Sequence, residues 1–153
     1  MSSVVIAPVG GRLLPLAAVP DAVFASEMVG SGVAVEPADE AMVTAIAPVT
    51  GRLVKLHPHA YVILRTDGAG VLVHLGIDTV KLNGAGFELH VQQGAEISAG
   101  QPVITFSPRE IRARGLSAIV PVVVMDSAKG TVTAGAEKPV GAGDHLYDWP
   151  PAL

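Results

Sequence analysis

Chemistry in this chain falls to imidazole. Its 153 residues include no cysteine and five histidines, His57, His59, His74, His90 and His145. Without a thiol there is no disulfide, no thiolate zinc site and no cysteine nucleophile. A serine nucleophile elbow is missing too, and Gly84-Ala85-Gly86-Phe87 has neither the lysine nor the spacing of a phosphate loop. Imidazole near neutral pH offers a nucleophilic ring nitrogen, a proton carrier or a metal ligand. His90 in Leu89-His90-Val91 and His145 in Asp144-His145-Leu146 have no neighbours that set them apart, and both read as structural or surface histidines.

His74 is different. In Val71-Leu72-Val73-His74-Leu75-Gly76, strand alternation puts Val71, Val73 and Leu75 on one face and Leu72, His74 and Gly76 on the other. An imidazole then lies on an apolar face, where desolvation keeps the ring neutral and nucleophilic. Gly76 leaves room for a close approach to the ring, and Asp78 follows where it could orient the site or its partner. A core histidine satisfied by backbone groups fits the same pattern. His57-Pro58-His59 supplies two further imidazoles upstream. His57, His59 and His74 together could ligate zinc in a hydrolase, although no His-Glu-x-x-His motif accompanies them.

These histidines need strands to hold them. Glycine and proline, 17 and 12 residues, are spread evenly and cut the apolar material into short runs, the pattern of an all-β sandwich or barrel. Val33-Ala34-Val35, Leu53-Val54, Tyr61–Leu64 and Val71–Leu75 are such runs, rich in strand-favouring side chains. Ala60–Leu64 and Val71–Leu75 flank Thr66-Asp67-Gly68-Ala69-Gly70 and predict a hairpin. Its register decides whether His59 falls beside His74 or on a diagonal. Gly30-Ser31-Gly32 reads as a turn. One helix is clearly signalled, by Ser107 as N-cap, Pro108 at N1, Glu110 at N3 completing a capping box, and Gly115 as the stop.

The chain also repeats itself. Ala7-Pro8-Val9-Gly10-Gly11-Arg12-Leu13-Leu14 returns as Ala47-Pro48-Val49-Thr50-Gly51-Arg52-Leu53-Val54. Ile97-Ser98-Ala99-Gly100 is echoed by Val132-Thr133-Ala134-Gly135, and each is followed by Pro-Val. Two copies of one β unit facing each other predict a pseudo-symmetric sandwich.

Composition narrows the function. Half the residues are apolar and the mean hydropathy is +0.49, yet no run approaches the roughly 18 apolar residues of a spanning helix. The start, Met1 to Pro8, lacks the basic region of a signal peptide. Only 16% of residues are charged and the net charge is −4, which argues against nucleic acid. A single compact cytoplasmic domain spanning 1–153 is the expectation.

The longest motif in the chain, Val73-His74-Leu75-Gly76-Ile77-Asp78-Thr79-Val80-x-Leu82-x-Gly84-x-Gly86-Phe87, resembles the phosphorylation-site signature of the glucose-type enzyme IIA of the phosphoenolpyruvate-dependent sugar phosphotransferase system. Ala7-Pro8-Val9-x-Gly11, Val19-Pro20-Asp21-x-Val23-Phe24, Met28-Val29-Gly30-x-Gly32, Ala47-Pro48-Val49-x-Gly51, His59-Ala60-Tyr61 and Ser117 to Asp126 extend the similarity over roughly residues 4 to 148. The resemblance implies a compact antiparallel β-sandwich of duplicated halves with one or two short helices. It implies that His74 accepts a phosphoryl group from the phosphohistidine of the carrier HPr, with His59 beside it hydrogen-bonding that group. Delivery would be to a cysteine on the IIB domain of a glucose- or N-acetylglucosamine-type permease. With no cysteine and no spanning segment here, IIB and IIC are expected elsewhere, as is any membrane anchor. Phe24, Met28, Val29 and Val80, with Gly76, are the expected docking face for partners, regulatory proteins among them. Where family members often carry threonine, this chain has His57, which could orient the second histidine through its own ring. No cofactor is expected, beyond a zinc that His59 and His74 could share with a partner.

Overall fold

The computed structural model describes residues 3–151. Among these residues there are thirteen strands: β1 (Val4–Ile6), β2 (Gly11–Pro15), β3 (Gly30–Pro37), β4 (Val43–Ile46), β5 (Gly51–His57), β6 (Ala60–Leu64), β7 (Gly70–His74), β8 (Glu88–Leu89), β9 (Glu96–Ile97), β10 (Pro102–Phe106), β11 (Val120–Met125), β12 (Lys138–Val140) and β13 (His145–Asp148). Two short helices join them, α1 (Ala22–Ala25) and α2 (Pro108–Ala113). An eight-stranded antiparallel sheet runs β12-β2-β3-β11-β7-β6-β5-β9, and β1-β13 and β4-β10-β8 form the smaller sheets. The expected all-β sandwich is what the chain builds.

Period-2 alternation divides the large sheet's side chains between two cores. Val33, Val35, Val71, Val73, Leu75, Val120, Val122 and Val124 enter the main core with Val5, Leu53, Tyr61, Phe106 and Tyr147. Ala34 and Val123, from the same strands, enter a smaller cluster with Leu16, Val19, Phe24, Ile77 and Ile119, and Leu72 packs against it. His74 belongs to this second face, as its neighbours in the sequence dictate.

The duplication is a matter of hydrogen bonds as well as letters. Ile6 N–H donates to the Pro48 carbonyl at 3.0 Å, and its counterpart Ile46 N–H donates to Pro8 at 3.0 Å. Ala7 and Ala47 receive matching partners: Ala7 N–H bonds Asp144 O (2.8 Å) and Ala47 N–H bonds Gln101 O (2.9 Å). Gly143 and Gly100 N–H return to the carbonyls of Ala7 and Ala47 at 2.8 and 2.9 Å. Arg12 pairs with Glu137, as Arg52 pairs with Glu96.

This pattern corrects the second repeat. The structural mate of Ile97-Ser98-Ala99-Gly100-Gln101 is Val140-Gly141-Ala142-Gly143-Asp144, since Ile97 pairs with Gly51 and Val140 with Gly11. Val132-Thr133-Ala134-Gly135 lies outside the strands. Gly30-Ser31-Gly32 likewise is not a turn but the start of β3. A Cβ at Gly30 or Gly32 would sit 1.9 or 2.2 Å from a β11 carbonyl oxygen, so these glycines permit close strand pairing. At α2, Ser107 Oγ accepts from Glu110 N–H at 3.0 Å as expected. The capping box is only half formed, because the Glu110 carboxylate turns to Arg114 Nε at 3.2 Å.

Candidate functional site

The hairpin β6–β7 brings the candidate histidines together. Its register pairs Ala60 with His74, so His59 lies one residue beyond, on the diagonal, and its carbonyl accepts from Leu75 N–H at 2.7 Å. The His59 and His74 rings meet edge to face with centroids 5.1 Å apart. His57 stacks on the outer side of His59 at 5.8 Å with planes 29° apart. On its other side His74 abuts Phe24, centroid to centroid 5.2 Å. The three imidazoles form a row leading from solvent at His57 to the half-buried His74.

His74 Nδ1 lies 2.6 Å from the carbonyl oxygen of Gly76. A carbonyl only accepts, so Nδ1 carries the proton and Nε2 is left with its lone pair. Burial lowers the His74 pKa below the usual imidazole value, and this outweighs the opposing effects of the Gly76 carbonyl, Asp21 and Asp78. His59 is lowered further, to about 4, by burial first and then by the charges His74 and His57 would carry. At neutral pH the site therefore presents two neutral rings, one with a defined tautomer. An unprotonated ring nitrogen beside a second neutral imidazole is chemically able to receive a group on nitrogen.

Gly76 acts differently from expectation. It is buried and offers no surface to a partner. A Cβ there would lie 2.6 Å from Thr79 Cγ2 and 2.9 Å from the Ser117 carbonyl, and its φ is +82°. Glycine is required so that the chain can turn back and aim its carbonyl at the imidazole. Gly76 N–H bonds Ile119 O and Ile77 N–H bonds Ser117 O, which fix the turn to the segment leading into β11.

The other expected residues divide by exposure. Met28 is 76% exposed and Val80 59%, whereas Phe24 is 8% exposed and presents its ring to His74. Val29 packs against the smaller core and is half-buried. Asp78 is exposed, with φ +61°, and leads into the 3-10 turn Thr79–Leu82 that carries Val80. Asp21 also borders these rings, and sequence reasoning did not single it out. It caps α1, accepting from Val23 and Phe24 N–H at 2.9 and 3.3 Å, and so sets Phe24 against His74 while adding negative charge near the ring. The signal was present, since an aspartate before Ala22-Val23-Phe24-Ala25 is an N-cap pattern.

No group of three or more histidine, aspartate or glutamate side chains converges for a metal among the described residues. His57, His59 and His74 do not make up such a group. His90 and His145 stand apart, bonded through Nε2 to Thr105 Oγ1 (2.6 Å) and Asp148 Oδ2 (3.2 Å). No helix among the described residues is long and apolar enough to cross a membrane.

Comparison with known proteins gives a consistent answer. The glucose-specific EIIBCA component of a phosphotransferase system from Corynebacterium glutamicum is 41% identical over 130 residues, 85% of this chain and 19% of that protein. The mannose-specific EIIBCA component from the same species is 41% identical over 125 residues, 82% of this chain and 18% of that protein. The chain thus spans about a fifth of the length of these curated relatives. Among solved structures, glucose permease IIA from Mycoplasma capricolum superposes with a TM-score of 0.83 at 33% identity, covering 95% of this chain and 94% of that one. Residues 3–130 match the family described as "phosphoenolpyruvate-dependent sugar phosphotransferase system, EIIA 1". With that match and those relatives, the chain belongs to the EIIA 1 family of the sugar phosphotransferase system and is a glucose-type EIIA.

Proposed function

We propose that this chain carries a phosphoryl group on His74 between phospho-HPr and the IIB domain of a sugar permease. The observation that carries the reading is the His74 Nδ1 bond to the Gly76 carbonyl, which leaves Nε2 unprotonated beside His59. The Nε2 lone pair attacks phosphorus. The phosphorus–nitrogen bond to the HPr imidazole breaks, and its electron pair returns to that ring. In the second half, a cysteine thiolate on IIB attacks phosphorus and the electron pair returns to Nε2. No proton need leave His74 in either step. His59 donates a ring N–H to the phosphoryl oxygens, and His57 stacks behind it to hold its plane. These are positioning and charge-stabilising roles, which is most of what phosphoryl transfer asks of a protein.

Met28 and Val80, exposed and apolar, support a docking surface around the ring, with Phe24 as its floor. Both partners would use this face from the cytoplasm. The names of the relatives, which join B, C and A in one chain, support IIB as the acceptor. The same face suits a regulatory role, because a phosphoryl group there adds close to two negative charges and repels apolar partners. His59 and His74 supply two of the four ligands zinc takes, so a zinc ion would need a partner's carboxylate to complete its shell.

Incubation with phosphoenolpyruvate, enzyme I and HPr tests the proposal by intact mass. One phosphoryl group on the wild-type chain and none on His74→Gln is expected. A His74→Gln protein that gains the same mass would overturn it.

A further inference from the structure

Sulfur in this chain is confined to methionine, four residues against no cysteine. A peroxide that would otherwise react with thiolates meets only thioethers here. The three methionines among the described residues differ in reach: Met28 is 76% exposed, Met42 67% and Met125 37%.

Met28 belongs to neither core, yet its backbone is pinned. Met28 N–H donates to the Val23 carbonyl at 3.0 Å and Glu27 N–H to that of Phe24 at 2.9 Å, so the turn closes directly on α1. Glu27 has a left-handed backbone, φ +60°, a conformation that is costly for a residue with a Cβ. Its carboxylate holds it there, accepting from the Ser31 hydroxyl at 2.6 Å and from Gly130 N–H at 3.2 Å. On the other side, Asp126 N–H bonds the Val29 carbonyl at 3.0 Å. A fixed backbone thus holds a flexible apolar thioether out in water, where burial would stabilise it.

That place adjoins the histidine site. Helix α1 carries Phe24, whose ring lies 5.2 Å from that of His74. Val29, next to Met28, packs against the same cluster as Phe24. Met42, by contrast, precedes β4, where Val43 packs against the main core.

We propose that Met28 is a site of reversible oxidation by a small peroxide, and that its sulfoxide weakens docking of phospho-HPr at His74. The inference rests on the phosphocarrier reading and adds a regulation to that site. A thioether lone pair attacks one peroxide oxygen, and the sulfur–oxygen bond forms as the oxygen–oxygen bond breaks. The departing hydroxide takes the proton from the transferred oxygen and leaves as water. Sulfur gives up two electrons and the peroxide takes both. An apolar contact becomes a strongly polar S=O group, whose water must be stripped before a partner can seat. Nε2 of His74 is untouched, so docking changes and the transfer chemistry does not.

The test treats the whole chain with dilute hydrogen peroxide, maps sulfoxides by peptide mass and follows phosphorylation by phospho-HPr before and after. Met28 and Met42 are expected to oxidise ahead of Met125. The KM for phospho-HPr should rise roughly tenfold with kcat held, the order expected when one contact at a docking surface is lost. Methionine sulfoxide reductases should reverse the rise. Each variant is compared with itself: Met42→Leu should still respond to peroxide and Met28→Leu should not. Met28 left unoxidised while Met125 is converted, an unchanged KM with Met28 fully converted, a loss in kcat alone, or an equal response in Met28→Leu would each overturn the inference. An untreated chain that accepts no phosphoryl group would instead fail the phosphocarrier reading, and the inference with it.

Discussion

The proposed chemistry turns on which nitrogen of His74 carries a proton, and a single backbone oxygen decides it. Because Nδ1 is committed to Gly76 O, acceptance of a phosphoryl group should be flat across neutral pH. It should fall only below the ordinary imidazole value of about 6.5, where protonation begins to compete for Nε2. Rates of phosphorylation by phospho-HPr against pH check this. His59 makes a second prediction, about stability. Its pKa is about 4 in the folded chain against 6.5 in the ordinary ring, so between those values the unfolded chain binds more protons. Stability therefore rises with pH through that window and declines as pH falls from about 6.5 towards 4. Denaturant midpoints across the window should show this slope, reduced in His59→Gln. In phosphoryl transfer, His59→Gln should still accept, but pass the group on about 10²-fold more slowly, the usual cost of losing one donor to a transferring group. A chase of the phosphorylated variant with a IIB domain reads that difference. The sequence alone singled out His74, its face and its neutral state, because alternation and an apolar neighbourhood are local facts. It could not specify the Nδ1 bond, which depends on a buried turn at Gly76 that Ser117 and Ile119 hold from far along the chain.

At the scale of elements, strands were legible and their partners less so. Tyr61–Leu64 and Val71–Leu75 announced a hairpin through β-branched runs on either side of Asp67-Gly68, and β6 and β7 form it. Whether His59 met His74 depended on register, which the turn and the long-range pairing of β7 with β11 set. The glycines of β3 were misread because close approach of β11 leaves no mark within Gly30-Ser31-Gly32 itself. Helix α1 was passed over because four residues give too little periodicity to register. The duplication yields a prediction of its own. A Cβ at Gly11 would lie 2.1 Å from Glu36 O, and one at Gly51 2.2 Å from Leu64 O. Gly11→Ala and Gly51→Ala should each destabilise the chain by about 2 kcal/mol, in the range of overpacking, and by similar amounts because they occupy twin positions. Thermal or denaturant unfolding of the two variants side by side makes the comparison. Markedly unequal losses would argue that the halves are not equivalent there.

For the whole molecule, the apolar excess has two destinations. Most of it fills the main core between the duplicated halves, from Val5 to Tyr147. A smaller share surrounds His74 through Phe24, Val29 and Leu72, and reaches the surface at Met28 and Val80. The absence of cysteine places the acceptor of the proposed transfer outside this sequence, while its curated relatives carry B, C and A together. The central claim is that one nitrogen of one histidine holds the group. Its most direct measurement is ¹H–¹⁵N and ³¹P NMR of the chain after phosphorylation through enzyme I and HPr. The account predicts one phosphoryl group, bonded to His74 Nε2, with Nδ1 still protonated against Gly76. A phosphoryl group on Nδ1, or on His57, His59 or any other residue, would contradict it.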